Sequence, residues 1–313
     1  MPEGHVIHGI ADALTGLLQN EVVQASSPQG RFSDGAALID GCTFLGATAH
    51  GKHLLASFDP GGQALRILHV HLGLYGVWSF ALAAGHPLAP HRNPLLTAEG
   101  EGTQPQVIGD GCRFAVPAPR GAVRLRLVGK QAVVDLNGPS QCEILTAAEF
   151  EALHARLGPD PLLGNSDPTA FIRAVRSSRR AIGELLMDQS VISGVGNIYR
   201  AELLFRHRIH PTTPGQWVSV RKLQQLWSDA VALLADGKRR GVVITTDEGL
   251  FREPPTGWTK LAERASNEEA DLRWYTYRRS GRPCHRCGTL IVTAALANRA
   301  VFWCPRCQRL PRR

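Results

Sequence analysis

CHRCGTLIVTAALANRAVFWCPRC, residues 284–307, holds four of the chain's seven cysteines in two C-x-x-C pairs. Cys284 and Cys287 form the first pair, and Cys304 and Cys307 the second, with sixteen residues between them. Each pair sets two thiolates on one side of a tight turn, and two such pairs make a closed tetrahedral zinc site. No coordination position is left open, so the single ion expected here is structural. A redox dithiol is the competing reading, and two matched pairs favour the metal over it. Residues 290–294 and 300–303 are apolar and rich in β-forming side chains, which predicts a hairpin with Asn298 and Arg299 near its tip. Arginine offers planar, multi-donor contacts to phosphate, so such a hairpin suits a phosphate or groove reader. A plain structural ribbon has the same spacing.

The charge around this hairpin is lopsided. Residues 271–313 carry ten arginines and one acid, Asp271, so this segment sums to +9 while residues 1–270 sum to −1. A concentrated positive patch suits a polyanion such as nucleic acid, with a solubilising tail as the bland alternative. The 313 residues suffice for about two domains at roughly 150 residues each, and 43% apolar content supports a sizeable core. No run approaches the ~18 apolar residues that a membrane helix needs, and no basic-then-apolar leader is visible. A cytosolic protein is the default expectation. Cys42, Cys112 and Cys142 stand singly and read as small buried residues.

Working back along the chain, MDQSVISGVGNIYRAELLF, residues 187–205, is the most distinctive internal stretch. Ser193, Gly194 and Gly196 predict a tight turn, with Asn197 capping a helix from Ile198. A helix N-terminus behind glycines suits an anion, but an ordinary helix hairpin would use the same glycines only to turn. Further helices are expected at 168–176, 179–189, 197–206 and 219–235. Thr146 and Glu149 make a capping-box signature for a helix that opens there. Before it, residues 21–80 and 121–136 alternate with period 2 and read as strands, and 81–120 as loops. Val6, Ile7, Ile10, Leu14, Leu17 and Leu18 fall on helical spacing, with Glu3 and Gly4 just before the helix. Residues 237–280 lack a clear period and read as a flexible connection. The composition shift at 137–146 marks a domain boundary. The fold class expected is therefore α+β and multidomain, with divisions at 1–136, 146–236 and 270–313.

Taken together, the motifs PEGH at the start, GKHLL at 51–55, HLGLYG at 71–76, SGVGNIYRAELLF at 193–205 and the C-x-x-C pairs with ANRAVFWC resemble the Fpg/Nei family of DNA glycosylases. They run through nearly the whole chain in family order. The resemblance implies an N-terminal β-sandwich after a leading helix, a helix–two-turn–helix domain and a C-terminal four-cysteine zinc finger. Damaged double-stranded DNA would lie in the cleft between the halves, bound by a monomer. It implies a bifunctional glycosylase and abasic-site lyase whose nucleophile is the secondary amine of Pro2, exposed once Met1 is removed. Glu3 would shuttle protons, and Lys52 would contact phosphate near the lesion and assist catalysis. Asn197 and Arg299 would hold the phosphates flanking a flipped nucleotide. Leu74 and Tyr75 would fill the void that it leaves, although periodicity alone would put both in a core strand.

The Leu-Tyr wedge resembles the endonuclease VIII (Nei) branch, of actinobacterial type, which favours oxidised pyrimidines. The other branch favours oxidised purines such as 8-oxoguanine. His5 stands where PEGP is common, and Gly73 replaces a polar wedge residue of some Nei members. Those departures bear on lesion range and leave Pro2, Glu3, Lys52, Asn197 and Arg299 untouched. The remaining alternatives are an oxidised-purine glycosylase and a non-catalytic damage binder on the same fold. A bacterial cytoplasmic, nucleoid-associated location follows from the resemblance alone.

Overall fold

A computed structural model describes residues 2–83, 86, 106–108, 114–164, 166–247 and 272–311. Met1, Cys112, Asp271, Arg312, Arg313, most of the 81–120 stretch and residues 248–271 of the expected 237–280 connection lie outside them. The chain forms two compact units: residues 1–155 with 238–242, and residues 156–237 with 243–313.

The first unit opens with α1 (Gly4–Leu18), followed by β1 (Glu21–Val22), β2 (Gln24–Ser26), α2 (Ser33–Ile39), β3 (Thr43–His50), β4 (His53–Asp59) and β5 (Arg66–His71). β6 (Val77–Ala83), β7 (Gln106–Ile108), β8 (Val123–Val128), β9 (Ala132–Asn137), β10 (Gln141–Leu145) and α3 (Ala147–Arg156) follow. The strands make two five-stranded sheets, ordered β1-β3-β4-β5-β10 and β2-β8-β9-β6-β7. Phe44, Leu54, Phe58, Leu68 and Val70 of the first sheet share one core with Trp78, Phe80, Leu125, Leu127, Val134 and Leu136 of the second. This is a β-sandwich, and α1 adds Ile7, Ile10, Leu14, Leu17 and Leu18 to its core. Each such side chain contributes about 1.5–3 kcal/mol on burial.

Local signals hold where a side chain reaches only a few residues. The Thr146 N–H donates to Glu149 Oε2 at 2.8 Å and the Glu149 N–H to Thr146 Oγ1 at 3.3 Å, so the capping box closes at the head of α3. The stretch QCEIL, inside the composition shift, pairs in antiparallel register with β5, from Gln141 opposite His71 to Leu145 opposite Ile67. α1 begins at Gly4, with Glu3 as its N-cap, so Gly4 is inside the helix rather than before it.

The second unit contains α4 (Pro168–Arg176), α5 (Ile182–Leu185), α6 (Asn197–Arg206), α7 (Val220–Arg240, whose last residues belong to the first unit), and the hairpin β11 (Val292–Leu296) with β12 (Arg299–Trp303). Asp167 caps α4 through a 2.9 Å bond from the Thr169 N–H, and Pro168 fits its first turn. The helix expected over 179–189 shrinks to the four residues of α5. Asp188 Oδ1 accepts from the Ser190 N–H and hydroxyl, and the Gln189 amide donates to the Met187 and Val195 carbonyls. These side chains offer the backbone a turn in place of another helical step. α7 runs past its expected end at 235 to Arg240, and Gly237 continues the buried face of Leu223, Leu226, Trp227, Ala230 and Leu234.

In the second sheet, the buried Arg126 guanidinium grips Asp135 bidentately, at 2.7 and 2.8 Å, and donates to the Pro117 carbonyl at 2.7 Å. Arg126→Ala strands a buried carboxylate. Unfolding in urea is expected to show a loss of about 3–5 kcal/mol, and an unchanged midpoint would mean that Asp135 finds another donor.

Candidate active site and zinc centre

Pro2 and Glu3 sit at the head of α1, and the strand beneath the helix decides where that head lies. Thr15 Oγ1 exchanges hydrogen bonds with the Ala47 backbone, the Gln19 amide donates to the Leu45 carbonyl, and the Asn20 N–H to the Phe44 carbonyl. The helix therefore runs opposite to β3. From Thr15 back to Gly4 is about 16 Å of helix, and from Ala47 on to Gly51 is about 14 Å of strand. The β3–β4 turn thus comes level with the start of α1. That turn is two residues long, with Gly51 at φ 60° and His50 paired to His53, and it presents Lys52. Glycine with positive φ at the first turn position matches the type II′ geometry of tight hairpins. Lys52 and Glu3 are both buried there, while Pro2 is half-buried.

Glu3 holds the helix through its backbone carbonyl, which accepts from the Val6 N–H at 3.0 Å, and its carboxylate makes no cap bond. Burial, with a smaller contribution from His8, pushes the His5 imidazole down from an ordinary 6.5 to about 3. A second cation is therefore absent from this helix N-terminus at neutral pH, where the dipole would oppose one.

Leu74 and Tyr75 lie on the β5–β6 turn, 47% and 76% exposed, and not in the core that periodicity suggested. The loop is pinned at its base. The Gly73 N–H donates to His71 Nδ1 at 3.2 Å, and the Gly76 N–H to the Leu72 carbonyl at 2.9 Å. Gly73 adopts φ 68°, and a Cβ there would meet the Ser140 Cβ at 2.8 Å. An apolar pair this exposed on a rigid loop has the form of a wedge rather than of packing.

In the second unit α6 starts at Asn197, with Gly196 as N-cap, so Asn197 does not cap the helix. Its Oδ1 instead accepts from the fully buried Arg200, which also donates to the Ala300 carbonyl at 2.7 Å. Arg200 thereby ties Asn197 to the residue next to Arg299, and Arg299 begins β12 opposite Leu296. Ala297 and Asn298, at φ 47° and 58°, form the hairpin tip. Gly194 gives its N–H to Gln189 Oε1 at 3.0 Å, so this part of the glycine turn is engaged internally.

Glu202, two residues beyond Arg200 and on the opposite face of α6, is wholly buried and accepts five bonds of 2.5–3.0 Å, from the Thr245 and Thr276 hydroxyls and the Tyr275, Thr276 and Tyr277 N–H groups. The sequence reading missed both residues. Their signal is two charged side chains in the middle of a helix whose Tyr199, Ala201, Leu203, Leu204 and Phe205 are all buried.

The four thiols converge as expected. The Sγ atoms of Cys284, Cys287, Cys304 and Cys307 all lie within 4.8 Å of one another, with Cys284–Cys307 at 3.9 Å and Cys287–Cys304 at 3.5 Å. A zinc–sulfur tetrahedron with bonds of about 2.3 Å needs sulfurs about 3.8 Å apart, so the site fits zinc. Gly288, at φ 73°, lets its N–H turn back to the Cys284 carbonyl at 2.9 Å and tightens the first knuckle. The Thr289 hydroxyl draws the Cys287 thiol down to about 6, whereas burial raises Cys284 and Cys307. Gln308 links the site to the helices, accepting from the Cys304 N–H and donating to the Ile209 carbonyl, both at 2.9 Å.

Known proteins agree with this arrangement. Residues 157–249 match the Formamidopyrimidine-DNA glycosylase H2TH domain, and residues 281–310 the zinc finger found in FPG and IleRS. Endonuclease 8 1 of Mycobacterium tuberculosis is 41% identical over 312 residues, covering 98% of this chain and 100% of that protein. The chain belongs to the Fpg/Nei family of DNA glycosylases. Formamidopyrimidine-DNA glycosylase of Thermomicrobium roseum is 31% identical, over 83% of this chain and 80% of its own length. The fold matches a Lactococcus lactis FPG mutant bound to Fapy-dG DNA with a TM-score of 0.70 at 20% identity, covering 98% of this chain and 100% of that one. The family's activity is that of a bifunctional glycosylase and lyase, and its zinc finger fits the four-cysteine site with a structural ion. No helix among the described residues is long and apolar enough to cross a membrane.

Zinc removal by chelation, or Cys287→Ser, is expected to release one metal ion per chain by atomic absorption and to lower the melting temperature. A Cys287→Ser protein that kept both would make the metal dispensable. Lowering pH from about 6.5 towards 3 charges His5 only in the unfolded chain, so stability should fall across that window. His5→Asn is expected to flatten that slope in acid titrations followed by circular dichroism.

Proposed function

We propose that this member of the family excises oxidised bases, preferably pyrimidines, and cleaves the abasic site through a Pro2 iminium. The observation that carries the reading is the antiparallel run of α1 along β3, whose lengths bring the helix start, with Pro2 and a buried Glu3, level with the turn that carries a buried Lys52. The Pro2 amine, once Met1 is removed, attacks the sugar carbon bearing the damaged base. The base leaves with the electron pair of its glycosidic bond, the amine gives up its proton, and the sugar ring opens as the bond from that carbon to the ring oxygen breaks, the oxygen taking a proton and the nitrogen ending in an iminium. An ordinary α-amine titrates at about 7.7–8.0, so a useful fraction is neutral near pH 7. The α1 dipole disfavours the ammonium further. Splitting base loss from strand cleavage gives two easier steps.

The iminium acidifies the neighbouring sugar C–H. Loss of that proton expels the 3′ phosphate by β-elimination, and a second elimination releases the 5′ phosphate. Glu3 moves protons in these steps. Lys52 holds a phosphate beside the lesion, and Asn197 and Arg299 hold those that flank it. Leu74 and Tyr75 enter the stack where the damaged nucleotide has been extruded. The pyrimidine preference is supported by the Leu-Tyr loop and by the 41% identity to an endonuclease 8, against 31% to the formamidopyrimidine-DNA glycosylase of Thermomicrobium roseum. The reading includes a monomer acting on duplex DNA in the bacterial cytoplasm. Its three working parts are residues 1–136 for chemistry, 146–236 for DNA binding and 270–313 for zinc.

Borohydride trapping on a duplex with one oxidised pyrimidine is expected to give a covalent complex that Pro2→Gly loses. Intact mass must show Met1 gone. Glu3→Gln should keep DNA affinity and lower base excision by about 10²–10⁴-fold. Equal turnover of 8-oxoguanine and thymine-glycol duplexes would defeat the pyrimidine preference. Binding without trapping or cleavage would favour the damage binder. Arg299→Ala should weaken binding evenly across sequences and reduce the slope of log affinity against log salt by about one.

A further inference from the structure

Three side chains behind Lys52 form a hydrogen-bonded line that the reaction above does not use. His53 Nδ1 lies 2.9 Å from His69 Nε2, and His69 Nδ1 lies 2.9 Å from Glu143 Oε1. The line crosses three neighbouring strands, from β4 through β5 to β10. Its inner end, His53, is buried and follows Lys52 directly in the chain. His69 in the middle is almost wholly buried, and Glu143 is half exposed on the last strand of the sheet. The rings of His53 and His69 stack, with centroids 5.1 Å apart. Other ionisable groups near His53 include Lys52, its neighbour in the chain, His50, paired across the β3–β4 turn, and His71, whose ring centroid is 4.9 Å away.

The chemistry of the groups fixes the direction of the line. With His69 neutral, the carboxylate, which only accepts, puts the hydrogen on His69 Nδ1, and the ring then accepts at Nε2. His53 Nδ1 donates to it, which leaves His53 Nε2 as the lone-pair nitrogen. Two imidazoles in a sheet interior are costly compared with aliphatic residues unless both are satisfied, and this arrangement satisfies them in one sense only. A structural ion pair needs one histidine and has no use for a second that reaches the turn.

We infer that His53, His69 and Glu143 form a proton relay joining the Lys52 end of the sheet to solvent. The inference rests on the lyase reading above. β-Elimination frees one proton from the sugar per turnover, in a place that bound DNA shields from water. His53 Nε2 takes up a proton, the His53 Nδ1 proton passes to His69 Nε2, and the His69 Nδ1 proton passes to Glu143. Glu143 gives it to water, and the net change is one proton moved outward with no charge left behind. Return of the rings to their starting tautomers completes the cycle. His69 and Glu143 act through His53 and touch no substrate.

The test is chemical rescue. In Glu143→Ala, single-turnover strand cleavage of an abasic duplex should slow by about 10²-fold, with DNA affinity unchanged. Added formate or imidazole should restore the rate in proportion to its concentration, because the vacated position is open to solvent. His69→Phe should show the same defect with no rescue. A slow Glu143→Ala that no buffer restores, or one that is as fast as wild type, overturns the relay. Histidine ¹⁵N spectra of the wild-type chain supply a check that needs no variant. Hydrogens on Nδ1 of both His53 and His69 support the line, and an Nε2–H tautomer of His53 breaks it. A wild-type protein that forms no borohydride-trapped complex removes the lyase reading and the relay with it. A wild type that is trapped, beside variants that cleave normally, removes the relay alone.

Discussion

The antiparallel run of α1 along β3 is the constraint on which the chemical half of the molecule depends. A chain terminus has no covalent anchor on one side, and most termini fray. Here the terminus is fixed from behind. Thr15, Gln19 and Asn20 bond to successive backbone groups of β3, and the apolar stripe of α1 is committed to the sandwich core. The helix then acts as a ruler whose length sets Pro2 level with the β3–β4 turn. A helix one turn shorter would leave the amine about 5 Å from that level. The same ruler aims a positive helix end at a group that works only when neutral. Keeping His5 uncharged by burial keeps one cation away from that helix end.

The second unit is organised around buried charge instead of a helix against a sheet. Glu202 collects donors from residues 245 and 275–277, and Arg200 from the opposite face of α6 reaches Asn197 and Ala300. One short helix thereby positions both the turn asparagine and the strand that carries Arg299. Zinc closes the far end of the hairpin, and Gln308 stitches that end to Ile209. A cluster of arginines repels itself unless its carrier is stiff, and the segment that holds the +9 excess is secured by metal, by carboxylate and by backbone bonds together. The Arg286 guanidinium lies 4.6 Å from the Phe205 ring centre and 5.0 Å from that of Tyr275, so even an unpaired-looking arginine of this segment has an aromatic seat.

What could be read in advance follows the reach of each interaction. The capping box at Thr146 and Glu149, the Asp167–Pro168 helix start and the two cysteine pairs were legible because each is closed within a few residues of chain. The hairpin was legible for the same reason, although its tip, expected near Asn298 and Arg299, falls at Ala297 and Asn298. The extent of α5 was not, because Asp188 and Gln189 compete with the helix through side-chain bonds that no apolar period reports. Leu74 and Tyr75 read as core by period, and only the motif resemblance moved them outward. The turn that exposes them is set by Gly73 against Ser140, a contact between β5 and the start of β10 that is distant in sequence. Arg200, Glu202 and the His53–His69–Glu143 line were invisible on the same grounds. Each depends on the register of strands or helices far apart in the chain, and register is a tertiary fact.

That register also explains why so many histidines gather at one end of one sheet. His50, His53 and His71 fall in a single cross-strand row, with Gln141 completing it on β10. His69 and Glu143 fall in the next row facing them by one pleat. A slip of one residue between β4 and β5 would turn His69 to the face opposite His53 and part the two rings. It would also expose Leu68 and Val70, which the sandwich core holds buried. The apolar set therefore enforces the polar one. The hydrophobic core fixes the strand pairing to the residue, and the line of imidazoles is held to bonding distance by packing forces that act on its neighbours. A sheet end built in this way needs no stabilising interaction of its own to keep its geometry, which, on the proposed function, frees Glu3, Lys52 and Pro2 to be chosen for chemistry.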